Sequence, residues 1–313
     1  MYKQILIPID GGPATGHTVR FGLAFARALG SDVTFLHAVE DPATLVYGLP
    51  GSATYLGDLG GALRSAGRRF LEDAQAQAEV QGVPCETLML ERSRPAEAIL
   101  ETERAHDLTV MATHSRRGLD RLLLGSVTEA VLRRSSKPHL VVRAADEAAS
   151  EAADENATEP PAFKRLFFPT DGSPCSDHAL GEAITLARAL GAELTLFHAL
   201  EAPVTVYTMP DSLVYDPAVM AELKGAALEV LERARARAVA AGVAATVRLA
   251  DDPHRRADEA VAAAERDFDL SVMGTHGRRG FELMFLGSVT ERVLRRSGAA
   301  HLVIRCPSVT ATS

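Results

Sequence analysis

The apolar positions of this chain fall in two alternating rhythms. Short solid runs such as Ile5-Leu6-Ile7-Pro8-Ile9 lack the in-out alternation of a half-exposed strand and read as strands buried on both faces. Between them lie longer stretches with apolar residues three and four apart. Thr15 to Leu29 is one, and it ends at Gly30, a common helix stop. The first half continues with a strand over Asp32 to Val39 and a long loop over 41–60, marked by Pro42, Gly48, Pro50, Gly51 and Gly57. A helix then runs to about Gln81, followed by a strand at Cys85 to Leu90, a helix at Pro95 to Ala105 and a strand at Asp107 to Thr113. A glycine-bearing loop leads to a helix from Ser126, and a strand at His139 to Arg143 closes the half. Five strands joined by helices predict a parallel sheet covered on both faces, with ligands bound beyond the strand carboxyl ends.

The second half repeats the first. Ile5-Leu6-Ile7-Pro8-Ile9-Asp10-Gly11 returns as Leu166-Phe167-Phe168-Pro169-Thr170-Asp171-Gly172. Phe35-Leu36-His37-Ala38 returns as Leu196-Phe197-His198-Ala199, and Leu124-Gly125-Ser126-Val127-Thr128-Glu129 as Leu286-Gly287-Ser288-Val289-Thr290-Glu291. The spacing is 161 or 162 positions throughout, so the 313 residues hold one domain written twice. The expected organisation is domain 1 over 1–143, an acidic Ala-rich linker over 144–161, domain 2 over 162–306 and a tail over 307–313. The formal charge of −8 belongs mostly to the linker, which carries six acids and no base. An acidic balance argues against non-specific nucleic-acid binding. The start at Met1-Tyr2-Lys3-Gln4 has no leader pattern, and no apolar run approaches membrane-helix length, so a cytoplasmic protein with no membrane partner is expected. Cys85, Cys175 and Cys306 form no CxxC pair and no metal spacing. They read as three small buried or incidental thiols in a reducing compartment.

Three features of each copy sit at strand carboxyl ends. Asp10 and Asp171 follow the first strand, where a carboxylate either accepts ribose hydroxyls or caps a turn. After the fourth strand, the second copy reads Gly274-Thr275-His276-Gly277, nine residues, then Gly287-Ser288 opening a helix. Glycines there let backbone N–H groups approach an anion, and the helix start suits a phosphate. The pairs Arg116-Arg117 and Arg278-Arg279 lie in the same loops and suit phosphates or solvent. The first copy departs from the pattern, with Ala112 and Ser115 in place of the first two glycines. A Cβ there costs binding if the backbone needs positive φ, and almost nothing if it stays extended.

Histidines recur as His17/His178, His37/His198, His114/His276 and His139/His301, without metal spacing. They read as caps or sheet-edge residues, with His114 and His276 placed to touch a ligand. Arg133-Arg134 and Arg295-Arg296 end their helices and complement the dipole. No P-loop, no GxGxxG after the first strand, no GxSxG elbow and no nucleophile beside a base is present, so no catalytic residue is assigned.

At the Pro-x-Asp of strand one, the Phe-His-Ala of strand two and the Gly-x2-Gly-x9-Gly-Ser loop, the chain resembles the universal stress protein family in its tandem form. The resemblance implies two Rossmann-like α/β domains, each with strand order 3-2-1-4-5, and an adenine nucleotide at the ends of strands one and four. ATP, with Mg or Mn, is the implied cofactor. It also implies a pseudo-dimer of the two domains, with a homodimer as a further possibility. Carried over by position, the second-copy pocket would use Pro169, Thr170, Asp171, Ala199, Met273, Gly274, His276, Gly277, Gly287, Ser288, Val289 and Thr290. The weaker first-copy set is Pro8, Ile9, Asp10, Ala38, Met111, Ala112, His114, Ser115, Gly125, Ser126, Val127 and Thr128. The reading is an ATP-binding stress-response module. A slow ATPase or nucleotidyl-transfer enzyme is one alternative. A pseudo-dimeric scaffold using the loop tyrosines Tyr47, Tyr55, Tyr207 and Tyr215 is the other.

Overall fold

The computed structural model describes residues 1–41, 52–113, 124–143, 162–201, 217–252, 255–275 and 286–306. The chain divides into two compact units, Met1–Ala162 and Phe163–Ser313.

In the first unit the elements are β1 (Gln4–Pro8), α1 (Thr15–Leu29), β2 (Asp32–Val39), α2 (Ser52–Gln81), β3 (Cys85–Glu91), α3 (Pro95–Thr102), β4 (Leu108–Ala112), α4 (Ser126–Arg134) and β5 (His139–Val142). β1 pairs in parallel with β2 and β4, β2 pairs with β3, and β4 with β5. β1 is therefore central, and Ile5, Leu6 and Ile7 are fully buried, as a solid apolar run requires when helices cover both faces. The edge strand β3 is only partly buried. One expectation is corrected: the loop over 41–60 is cut short, because α2 begins at Ser52 and runs through Gly57 and Gly60. Local glycine propensity is a weak prior that a 30-residue helix packed on the sheet overrides.

The second unit repeats this with β6 (Arg165–Pro169), α5 (Pro174–Leu190), β7 (Glu193–Ala199), α6 (Pro217–Ala240), β8 (Ala245–Ala250), α7 (Ala257–Ala264), β9 (Leu270–Gly274), α8 (Ser288–Arg296) and β10 (His301–Ile304). β6 pairs in parallel with β7 and β9, β7 with β8, and β9 with β10. Phe167, Phe197, Met273, Val261 and Val293 form a core between the sheet and α7 and α8. Phe167 lies 5.1 Å from Phe197 and 5.0 Å from Phe268, ring centre to ring centre. Ser173 caps α5 by accepting the Ser176 N–H, with Pro174 in the first turn, where its missing N–H costs nothing.

The cysteine expectation is overturned for two of the three. Cys175, in the first turn of α5, and Cys306, just beyond β10, are joined as a disulfide with Cα atoms 5.2 Å apart; Cys85 is free. The partners lie 131 positions apart in sequence, so no spacing rule could pair them. Parallel pairing of β9 with β10, and the packing of α5 against β9, bring them together.

Candidate functional site

The site is built where two central strands end. In the second unit β6 delivers Thr170 and Asp171, and its neighbour β9 delivers Gly274 and Thr275. Asp171 is followed by Gly172 at φ +72°, and Asp10 by Gly11 at φ +70°. These are left-handed conformations that a Cβ disfavours. A Cβ on Gly172 would also meet Val230 of α6 at 2.8 Å, and one on Gly11 would overlap the Phe70 ring of α2. Asp-Gly is therefore the dipeptide this turn requires. Both aspartates use Oδ1 to hold their own turn. Asp10 accepts from the Gly12 N–H and the Thr15 hydroxyl, each at 2.9 Å, and Asp171 accepts from the Ser173 N–H at 3.0 Å. The Thr170 hydroxyl oxygen accepts from the Gly172 N–H and the Ser176 hydroxyl.

The start of α8 is fastened to the end of β9. The Gly287 N–H donates to the Thr275 carbonyl at 2.6 Å, and the buried Thr290 hydroxyl donates to the Gly274 carbonyl at 2.9 Å. The first unit has the same ties, Gly125 to Thr113 and Thr128 to Ala112. These bonds refine the carried-over site. The hydroxyl protons of Thr128 and Thr290 are committed to strand carbonyls, so neither donates to a phosphate. Met111 and Met273 are buried in the cores, with Val127 and Val289 packed against them, so only their backbones face the site. Exposed Ser126 and Ser288 keep hydroxyls at the helix starts. The N–H groups of residues 288–290, in the first turn of α8, have no carbonyl partner within the helix.

Gly274 is a strand residue outside the positive-φ set, as is Ala112 of β4. A Cβ on Gly274 would lie 2.9 Å from the Cys175 Sγ. In the first copy Ala14 stands where the second has Cys175, so no sulfur faces the position of Ala112 that corresponds to Gly274. The Gly-to-Ala departure thus reflects a neighbouring sulfur and carries no backbone penalty, contrary to one branch of the sequence reading.

The loop residues His114, Ser115, Arg116, Arg117, His276, Gly277, Arg278 and Arg279 lie outside the described residues, as do Tyr47, Tyr207, Tyr215, the side chain of Tyr55 and the 144–161 linker. Of the other histidines, His37 Nδ1 donates to the Ile9 carbonyl at 2.8 Å and its ring meets Phe70 edge-on. His139 and His301 are the first residues of β5 and β10, each 3.1 Å from a buried glutamate, Glu103 and Glu265. Burial by itself raises the Glu265 carboxyl, but His301 and Ser297 outweigh it and hold it below the ordinary value. Arg133 and Arg295 pair with Glu129 and Glu291 one helical turn back, and Arg134 and Arg296 with Glu97 and Glu259. These are structural ties. Among the described residues no group of three or more His, Cys, Asp or Glu could hold a metal ion, and no helix is long and apolar enough to cross a membrane.

The family model for the universal stress proteins matches residues 1–143 and 162–305. A universal stress protein of Methanocaldococcus jannaschii is 34% identical over 147 residues, 46% of this chain and 83% of the relative. One of Mycolicibacterium smegmatis is 25% identical over 313 residues and covers 96% of each chain. The crystal structure of a universal stress protein from Archaeoglobus fulgidus matches 97% of both chains with a TM-score of 0.66 at 19% identity, a likeness of fold. Two copies of the same family domain account for the repeat, the sheets and the loop spacing, and the chain belongs to the universal stress protein family.

Proposed function

We propose that the second unit binds an adenine nucleotide, with ATP as the favoured ligand, and that the chain serves as a nucleotide-responsive stress module and not as a catalyst. The observation that carries this is the start of α8. Two bonds tie it to the end of β9, and it presents the N–H groups of Ser288, Val289 and Thr290 and the exposed Ser288 hydroxyl beside β9, whose neighbour β6 leads into Thr170 and Asp171. Preorganised N–H groups at a helix start suit a phosphate chain. Asp171, which accepts from the Ser173 N–H at the turn after β6, is a carboxylate at a strand end, a group that suits a ribose hydroxyl. Mg or Mn, where present, would be held through the nucleotide's phosphates.

The first unit has the same scaffold, with Asp10, Ser126 and the Thr128 tie. Since Ala112 is an ordinary strand residue, weaker binding there rests on Ser115 in place of Gly277 alone.

The test is calorimetry of the full chain with ATP, beside native mass spectrometry to count bound nucleotides. Ser288→Pro removes one donor N–H and the hydroxyl while leaving the helix intact. Proline is favoured in a first turn, and Gly287 at φ −59° and ψ 144° already has the conformation a following proline demands. Losing hydrogen bonds to a charged group costs about 1.5–3 kcal/mol, hence roughly tenfold or more in Kd for the second site. ATP binding that ignores this substitution would remove α8 as the phosphate seat, and absence of any nucleotide binding would sink the reading.

A further inference from the structure

The strongest feature left unused by that reading is the pair Cys175 and Cys306. Both are half-buried, and together they straddle the end of β9. Cys175 Sγ packs on the α-carbon of Gly274, within 2.9 Å of where a Cβ would stand. On the other side, the Cys306 N–H meets the Thr275 hydroxyl at 3.4 Å, and the Cys306 Sγ lies 3.4 Å from the same oxygen. Thr275 also donates its N–H to the Ile304 carbonyl at 2.9 Å. Gly274 and Thr275 supply the two carbonyls that hold the start of α8. The disulfide is thus one contact away from the proposed phosphate seat. The first copy has Ala14 and Ala144 at the matching positions, so nothing there can respond to thiol chemistry.

We propose that Cys175–Cys306 is a thiol–disulfide exchange site that sets the nucleotide affinity of the second unit, a proposal that rests on the nucleotide reading above. The co-reactant is a dithiol reductant. One of its thiolates attacks Cys306 Sγ, forming a mixed disulfide and expelling Cys175 as a thiolate. The second reductant thiol then displaces Cys306 as a thiolate, and both cysteines end as thiols once protonated. The reductant leaves as its own disulfide, two electrons poorer. This direction of attack follows from position: Cys175 lies in the first turn of the 17-residue α5, where the helix stabilises a thiolate and makes it the better leaving group. When closed, the bond clamps α5, β9 and the residues beyond β10 together and holds the Gly274 and Thr275 carbonyls in place. When open, two separate thiols must share the space beside Gly274, and the base of the α8 seat loosens. The oxidised form is the tight binder.

The experiment uses the full chain with Cys85→Ser, oxidised or treated with dithiothreitol, and measures ATP affinity by calorimetry beside amide hydrogen exchange at 274–275 and 286–290. Oxidation that tightens binding at one site by about fivefold or more, the low end of ordinary coupling between sites, is the expected result. Exchange at those amides is expected to quicken on reduction, while the matching amides of the first copy stay unchanged. Cys306→Ser is expected to behave as the reduced protein under both conditions. Equal affinity and equal exchange in the two states would overturn the proposal. So would alkylation of both cysteines in oxidised, unfolded protein, because it would show that no bond forms. If no ATP binds in either state, the nucleotide reading fails, and amide exchange alone then decides whether the clamp exists.

Discussion

Replacing Gly274 by alanine separates two reasons for a glycine at this position. If the backbone must approach a ligand, a methyl harms binding and leaves stability almost untouched. The structure gives a different reason. The new Cβ would stand 2.9 Å from the Cys175 Sγ, a distance real Cβ atoms do not tolerate, and the disulfide prevents that sulfur from swinging aside. Overpacking of this kind costs about 1–3 kcal/mol. Against it stands a gain of about 0.5–1 kcal/mol from replacing glycine by alanine within a regular element. The net expectation is a loss of roughly 0–2.5 kcal/mol. With Cys175→Ala in the background, the remaining neighbours are the residue-175 carbonyl oxygen at 3.4 Å and the Ala179 Cβ at 3.6 Å, near ordinary contact distances. There the same substitution becomes neutral or stabilising by up to about 1 kcal/mol, reproducing the Ala14 and Ala112 pairing of the first copy. Urea unfolding of the four proteins closes a double-mutant cycle, and loss of the disulfide is common to both arms of the alanine background. A coupling of about 1–3 kcal/mol is expected. Equal cost in both backgrounds would refute the packing argument and return Gly274 to the ligand.

Thr290→Val removes the hydroxyl that ties α8 to β9 while keeping the side-chain shape. It leaves the Gly274 carbonyl without that donor, so a loss of about 1–3 kcal/mol is expected in urea unfolding, with α8 still helical by circular dichroism. Stability unchanged by the substitution would mean the tie is dispensable. The Glu265 carboxyl is held below its ordinary 4.5, so the folded state binds its proton less readily than the unfolded chain does. Its contribution is complete above about pH 4.5 and drains away as pH falls through the lower folded value. Thermal melts below pH 4.5 are expected to be less steeply acid-sensitive in Glu265→Gln, and an unchanged slope would contradict the assignment.

The duplication and the alternation of strands and helices were legible in the chain itself. Each rests on local periodicity or on residues a few places apart, and solid apolar runs such as Leu166-Phe167-Phe168 have one common explanation, a strand covered on both faces. Roles that depend on what lies across the fold were not legible. Asp-Gly is needed after β1 and β6 because Phe70 and Val230, some 60 residues further on, pack onto the turn. Thr290 stands in a Ser-Val-Thr repeat that looks like a phosphate motif, yet its hydroxyl proton goes to a strand carbonyl 16 residues back. Met273 is adjacent to the loop in sequence and faces the core in space.

The sequence by itself determined that one α/β unit is written twice and that both copies end their first and fourth strands in polar, glycine-bearing turns, because hydrophobic period and turn chemistry act locally. Only the tertiary structure decided which of those groups remain available to a ligand, why position 274 is glycine where position 112 is alanine, and that Cys175 meets Cys306. Those outcomes depend on strand order, which brings together residues more than a hundred positions apart and leaves no trace in their spacing.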